Sequence, residues 1–142
     1  MKIEFHFDFG SPNAYLSHLA IPEIEKRLGI EFEYVPILLG GVFKLTNNAS
    51  PAETLRGIRN KVEYQEIETV RFLKKNNITN FKKNPFFPVN TLKLMRGAVS
   101  LLGKDNYSHY VDQIFAHMWA EPKKMDEEAV FRAALISSGI PA

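Results

Sequence analysis

Residues 3 to 16 read Ile3-Glu4-Phe5-His6-Phe7-Asp8-Phe9-Gly10-Ser11-Pro12-Asn13-Ala14-Tyr15-Leu16. Ile3, Phe5, Phe7 and Phe9 alternate with polar residues, which places all four on one face of a strand over residues 2–9. Gly10-Ser11-Pro12 breaks the alternation. Ser is a preferred helix N-cap because its oxygen accepts one of the first unpaired N–H groups, and Pro is pre-shaped for the first helical position. The spacing predicts a helix from Pro12 to about Arg27, with Tyr15, Leu16, Leu19, Ile24 and Leu28 on its apolar side. Lys26 and Arg27 suit its last turn, and Gly29 the position just beyond. Residues 31–37 read as a second strand. Strand, helix and strand within this length make a βαβ unit, with parallel pairing and a right-handed crossover.

After Ile37 the pattern turns helical. Leu38 to Asn48 reads as a loop, with Gly40-Gly41 and Asn47-Asn48. Ser50-Pro51-Ala52-Glu53 is a capping box that opens a long helix reaching Lys75, with Gly57 as a point of bending. Asn76 to Asn90 is a loop. Three further helices are expected over residues 91–102, 105–121 and 127–138, with Asp105 and Asp126 as caps of the last two. In the middle one, Tyr107, Tyr110, Val111, Ile114, Phe115, Met118 and Trp119 recur at three- and four-residue spacing, the signature of a core-facing stripe.

The division that follows is a βαβ part over residues 1–38 and a helical insertion of four helices over 39–142. Two parallel strands are too few for a stable sheet. Either a partner chain adds a strand, or a C-terminal segment is missing. Ser137-Ser138-Gly139-Ile140-Pro141-Ala142 reads as a connection, so the second is expected.

With 142 residues, 45% hydrophobic and 24% charged, the composition is that of one ordinary globular domain with an insertion. The chain has no cysteine, which excludes disulfide frameworks, thiolate metal sites and Cys nucleophiles. No apolar run approaches the length of a membrane span, and the N-terminus alternates rather than forming a signal block, so a cytoplasmic chain is expected. The net charge of +2 hides a segregation. Residues 1–70 carry −3, residues 71–104 carry +8 with no acid at all, and residues 105–142 carry −3. The basic residues are dispersed, which fits a small anionic ligand better than nucleic acid. His6, His18, His109 and His117 lack metal-ligand spacing, and no metal is expected. The G-x-S-x-G elbow of hydrolases is absent.

Ser11 stands where the end of a parallel strand meets a helix N-terminus. Backbone N–H groups and the helix dipole there favour negative charge. Its hydroxyl can cap the helix, or donate to an anion held over it, and local pattern leaves both open.

The stretch Phe7-Asp8-Phe9-Gly10-Ser11-Pro12-Asn13-Ala14-Tyr15-Leu16 resembles the opening of the 2-hydroxychromene-2-carboxylate isomerases. Those are relatives of kappa-class glutathione transferases in the thioredoxin-like, DsbA-related superfamily, in which Ser-Pro-x-x stands where redox members have C-x-x-C. Leu39-Gly40-Gly41-Val42-Phe43-Lys44, Lys61-x-x-Tyr64 and Pro88-Val89-Asn90-Thr91-Leu92-x-x-Met95-Arg96 continue the resemblance in the family's order. Asn13 departs from the aromatic residue common after Ser-Pro, and family members are longer, with a later cis-proline loop and further strands.

The resemblance implies an α/β, thioredoxin-like fold with a large all-helical insertion, whose C-terminal strands are absent from this chain. It implies glutathione as cofactor, bound at Ser11, Pro12 and Asn13, with Ser11 stabilising the thiolate. The activity implied is cis–trans isomerisation of an aromatic hydroxy or keto carboxylate. Lys44 is the expected carboxylate partner and Asn48 a nearby donor. Phe86 and Phe87 would form an aromatic wall, and Lys61 and Tyr64 would face the cleft from one helix. Asn90 would orient substrate or cap the third helix. The expected partners are a small anionic aromatic substrate and a second copy in a homodimer, with neither nucleic acid nor membrane. A kappa-like glutathione transferase, or a non-catalytic module binding an anionic metabolite or peptide, is the alternative.

Overall fold

The computed structural model describes residues 2–141; Met1 and Ala142, the outer ends of the two expected segments, lie outside them. The alternating aromatic stretch forms strand β1 (Ile3–Phe7), helix α1 spans Pro12–Leu28, and strand β2 spans Phe32–Pro36. β1 and β2 pair in parallel, with Ile3 opposite Phe32 and Phe7 opposite Pro36, and among the described residues they form a two-stranded sheet.

Helix α1 begins and ends as its sequence dictates. Ser11 caps it by accepting the Ala14 N–H, Pro12 fills the first position, and Gly29 adopts the left-handed conformation at φ 64° with its N–H on Glu25 O. Its buried face runs through Ala14, Tyr15, Leu16 and Ile21, whereas Leu28, expected on the apolar side, is 57% exposed in the final turn.

The chain divides into two units, residues 1–38 with 80–142, and residues 39–79. The expected boundary after Leu38 is present, but the expected body 39–142 is not a unit. Its last three helices belong with the βαβ part. They are α5 (Leu92–Ser100), α6 (Tyr107–Trp119) and α7 (Glu128–Ser137), following α2 (Leu39–Leu45), α3 (Pro51–Thr54) and α4 (Lys61–Lys75). The cause is the stripe on α6. Phe115 lies 5.6 Å from Phe7, 4.9 Å from Phe9 and 5.8 Å from Tyr15 between ring centroids, so the aromatic face of β1 is covered by α6. Leu94, Met95 and Ala98 of α5 and Ala134 and Leu135 of α7 join the same core. A polar tie reinforces it: His18 on α1 bonds Tyr34 Oη on β2 at 2.8 Å and Asp112 on α6 at 3.2 Å, stacked on Phe115.

The second unit differs from expectation in two places. A helix, α2, occupies the segment read as a loop. Its Gly40-Gly41 start is tolerated, and Asn47 at φ 52° ends it while the Asn48 N–H returns to Phe43 O. The long helix from Ser50 is interrupted: α3 stops at Thr54, and α4 starts after Asn60 in the left-handed region. Gly57 lies in the gap, where flexible backbone weakens a helix. None of α2, α3 and α4 contributes a buried residue. The expected caps Asp105 and Asp126 are displaced by one position. Asn106 and Glu127 precede α6 and α7 without a side-chain capping bond, and Asp126 accepts the Asn90 N–H instead.

Candidate functional site

The carboxyl end of β1 continues as Asp8-Phe9-Gly10-Ser11, and this turn is held from three sides. Asp8 is buried; its Oδ1 accepts the Gly10 N–H at 2.8 Å and its backbone oxygen accepts the Ser11 N–H at 3.0 Å. From α6, the buried Trp119 donates its Nε1–H to Phe9 O at 2.8 Å. From the start of α5, Thr91 lies so close that a Cβ on Gly10 would stand 3.1 Å from its Cγ2. Only glycine leaves this approach unforced.

Of the two roles open to the Ser11 hydroxyl, the structure shows the first. Its oxygen accepts the Ala14 N–H at 3.2 Å, so the capping role is present. A hydroxyl has one donor as well as two acceptor lone pairs, so capping leaves the O–H proton for another acceptor. The residue is half-buried, Asn13 beside it is exposed, and the first turn of α1 contains no acidic side chain. Positive helix-end potential, a free hydroxyl proton and partial shielding together suit a compact anion.

An aromatic row runs beneath the turn. Tyr15 stacks on Phe81 at 6.3 Å, Phe81 on Trp119 at 6.2 Å, and Phe87 lies 6.2 Å from Trp119. Burial raises the Tyr15 pKa, against a lowering hydrogen bond from Asn80, so its phenol stays protonated. Of the expected aromatic wall, Phe87 joins this row while Phe86 is 48% exposed, with its N–H on Asn84 Oδ1. The Phe87–Pro88 peptide is cis. Buried Asn84 anchors this loop by donating to Met118 O at 3.0 Å and Lys123 O at 3.2 Å. Asn90 stands one position before the N-cap Thr91, and its Oδ1 accepts the Leu92 N–H at 3.0 Å at the entry to α5.

Beyond Leu92, a depression of about 300 Å³ opens at the carboxyl end of β2, lined by Pro36, Ile37, Leu38, Leu92, Met95 and Arg96. Val99 and Ser100 complete its walls, which are mostly apolar, with Arg96 and Ser100 as the polar side chains.

The remaining expected residues belong to the other unit. Lys44 is exposed in the last turn of α2. Asn48 is exposed, and its Oδ1 accepts the Ala49 N–H. Lys61 and Tyr64 do share one face of α4, with the ammonium 5.7 Å from the ring centroid. Among the described residues no group of three His, Cys, Asp or Glu side chains could hold a metal ion.

Sequence reasoning gave no role to Asp8, Asn84, Thr91 or Arg96, although Asp8, Thr91 and Arg96 stand within the quoted motifs. The first three are polar residues buried in or beside loops. A polar residue directly after a strand, or before Pro85, is the only local trace of that burial.

The whole described chain has known counterparts. Residues 2–142 match the family described as DSBA-like thioredoxin domain. No curated protein matches the chain. A solved structure of selenomethionine 2-hydroxychromene-2-carboxylate isomerase is similar to it, with a TM-score of 0.74 at 22% sequence identity, covering 99% of this chain and 67% of that one. The βαβ unit with its serine-capped helix, covered by α5–α7, is thus a thioredoxin-type arrangement, and the chain belongs to the DSBA-like thioredoxin domain family.

Proposed function

We propose that the chain is a glutathione-dependent cis–trans isomerase acting on small aromatic carboxylates, with Ser11 as the residue that holds the thiolate. The observation that carries this reading is the Ser11 hydroxyl: it caps α1 through its oxygen and still has a proton to donate at the positive end of the helix. Its similarity to the isomerase fold supports the choice of chemistry.

The residues present fit a thiolate. A thiol of pKa about 8.5 is lowered toward neutrality by a hydroxyl donor and a helix N-terminus. Glutathione, when bound, supplies the sulfur whose reversible addition to a conjugated double bond frees that bond to rotate. Ser11 would donate a hydrogen bond to the thiolate and keep its proton throughout. Gly10, pressed against Thr91, fixes where that hydroxyl stands. The exposed edge of Phe87 and the apolar depression along Leu92 and Met95 suit an aromatic ring, and Arg96 is the cation of this unit that suits its carboxylate. Arg96 takes this role more readily than a lysine because its planar fork matches a carboxylate in two hydrogen bonds.

Calorimetric titration with glutathione tests the reading. Binding at millimolar concentration or below is expected, weakened in Ser11→Ala while the fold is kept. Absence of heat at millimolar glutathione overturns the enzyme reading and favours a non-catalytic binding module.

A further inference from the structure

Helix α5 begins against the same turn as α1. Its N-cap is Thr91, packed so closely on Gly10 that a Cβ there would stand 3.1 Å from its methyl carbon and 3.9 Å from its hydroxyl oxygen. The cap residues of two helices, Ser11 and Thr91, therefore meet at one glycine. Neither helix has an acidic side chain in its first turn, so both ends bring positive potential to this place. Asp8 at the same turn accepts the Gly10 N–H through Oδ1.

A threonine at an N-cap normally accepts an N–H of the first turn through its hydroxyl. Thr91 makes no such bond: its backbone lies at φ −88° and ψ 3° rather than extended, and the Leu92 N–H goes to Asn90 Oδ1. The residue is 7% exposed, yet among the described residues its hydroxyl has no hydrogen-bond partner. Every fully enclosed side-chain oxygen or nitrogen among those residues does have one. The Thr91 oxygen therefore lies at the small opening that this residue keeps. A nearly buried hydroxyl without a partner is costly, and a bound acceptor removes that cost. We propose that Thr91 is a second hydroxyl donor of the Ser11 site, with its O–H directed to the same thiolate. The inference rests on the glutathione reading above. The sulfur anion would accept two hydrogen bonds at Gly10, one from each cap residue, and both hydroxyls keep their protons.

Thr91→Val keeps the side-chain shape and removes the hydroxyl, whereas Thr91→Ser keeps the hydroxyl. Two readouts separate a ligand contact from a structural one. The first is the urea midpoint of the free chain. The second is the thiol pKa of glutathione with the chain in excess, followed by the ultraviolet absorbance of the thiolate. Because the hydroxyl bonds nothing in the free chain, Thr91→Val is expected to keep the native midpoint or raise it. The thiol pKa is expected to rise by about one unit, a tenfold loss of thiolate, and to return in Thr91→Ser. A lower midpoint in Thr91→Val means that the hydroxyl is bonded within the chain, and overturns the proposal. An unchanged thiol pKa in Thr91→Val beside a raised one in Ser11→Ala overturns it too, and leaves the Ser11 reading standing. A thiol that titrates at its free value with the native chain overturns both.

Discussion

Gly97→Ala probes the contact between α5 and α6, which sets Thr91 against the Ser11 turn. A Cβ built on Gly97 lands 2.6 Å from Tyr110 Cζ and closer still to the hydroxyl. Tyr110 cannot yield cheaply. It is 2% exposed, its ring stands edge-on to Phe9 at 6.0 Å, and its hydroxyl donates to Leu94 O at 2.8 Å. Overpacking of this kind costs about 1–3 kcal/mol. Displacing the hydroxyl adds about 1 kcal/mol for the hydrogen bond. Replacing a helical glycine by alanine returns about 1 kcal/mol. The net is a destabilisation of about 2 kcal/mol, read as a lower urea midpoint at unchanged slope. In a chain of this length that corresponds to a thermal midpoint lower by about 8 °C. Gly40→Ala, with nothing within 4 Å of the new Cβ, is the control and leaves the midpoint unchanged or higher. A Gly97→Ala protein as stable as the parent would refute the packing of α5 on α6.

Three further outcomes follow from the site's supports. Trp119→Phe deprives the buried Phe9 carbonyl of its donor and lowers stability by about 1–3 kcal/mol, measured by circular dichroism; an unchanged midpoint contradicts the anchor. Asn84→Ala removes two donors and one acceptor from the 81–90 loop and costs about 2 kcal/mol or more in the same assay, whereas a purely surface role predicts almost none. The third concerns pH. Burial, then the nearby Lys123 ammonium, lowers the His117 pKa from 6.5 in the folded chain. The unfolded chain therefore takes up the proton first as pH falls. The stability linked to neutral His117 is complete above about 6.5 and is lost as pH drops toward the lowered folded value. Unfolding midpoints between about pH 7 and 5 should decline less steeply in His117→Gln than in the parent; parallel declines contradict the assignment.

The beginning of the chain is readable because local signals there agree with tertiary packing. Alternating Phe5, Phe7 and Phe9, the Ser11-Pro12 start and the Gly29 stop each have a local cause, and the structure uses each of them. The stripe on α6 is readable as core, but not what it covers. Periodicity states that Phe115 is buried, while its partners Phe7 and Phe9 stand at the other end of the sequence. For that reason the pattern alone puts the helices of 80–142 in a separate body. The break between Thr54 and Lys61 is legible only as a bend at Gly57, because the capping box and the Lys61–Lys75 periodicity are both genuine; the left-handed Asn60 completes the separation. In the site, Ser11 is visible as a cap, and Asn90 as one of two options. Asp8, Asn84 and Thr91 are not visible, because their burial comes from segments distant in the chain.

The most direct test of the account is the pKa of the glutathione thiol in the presence of the chain, followed by the ultraviolet absorbance of its thiolate. The native chain should hold it below the free value of about 8.5. Ser11→Ala should return it upward, at about 1.4 kcal/mol for each pH unit, while loss of the cap costs folding only about 1 kcal/mol. A thiol that titrates at its free value with the native chain, or identically with the native and Ser11→Ala proteins, contradicts the central role given to this hydroxyl.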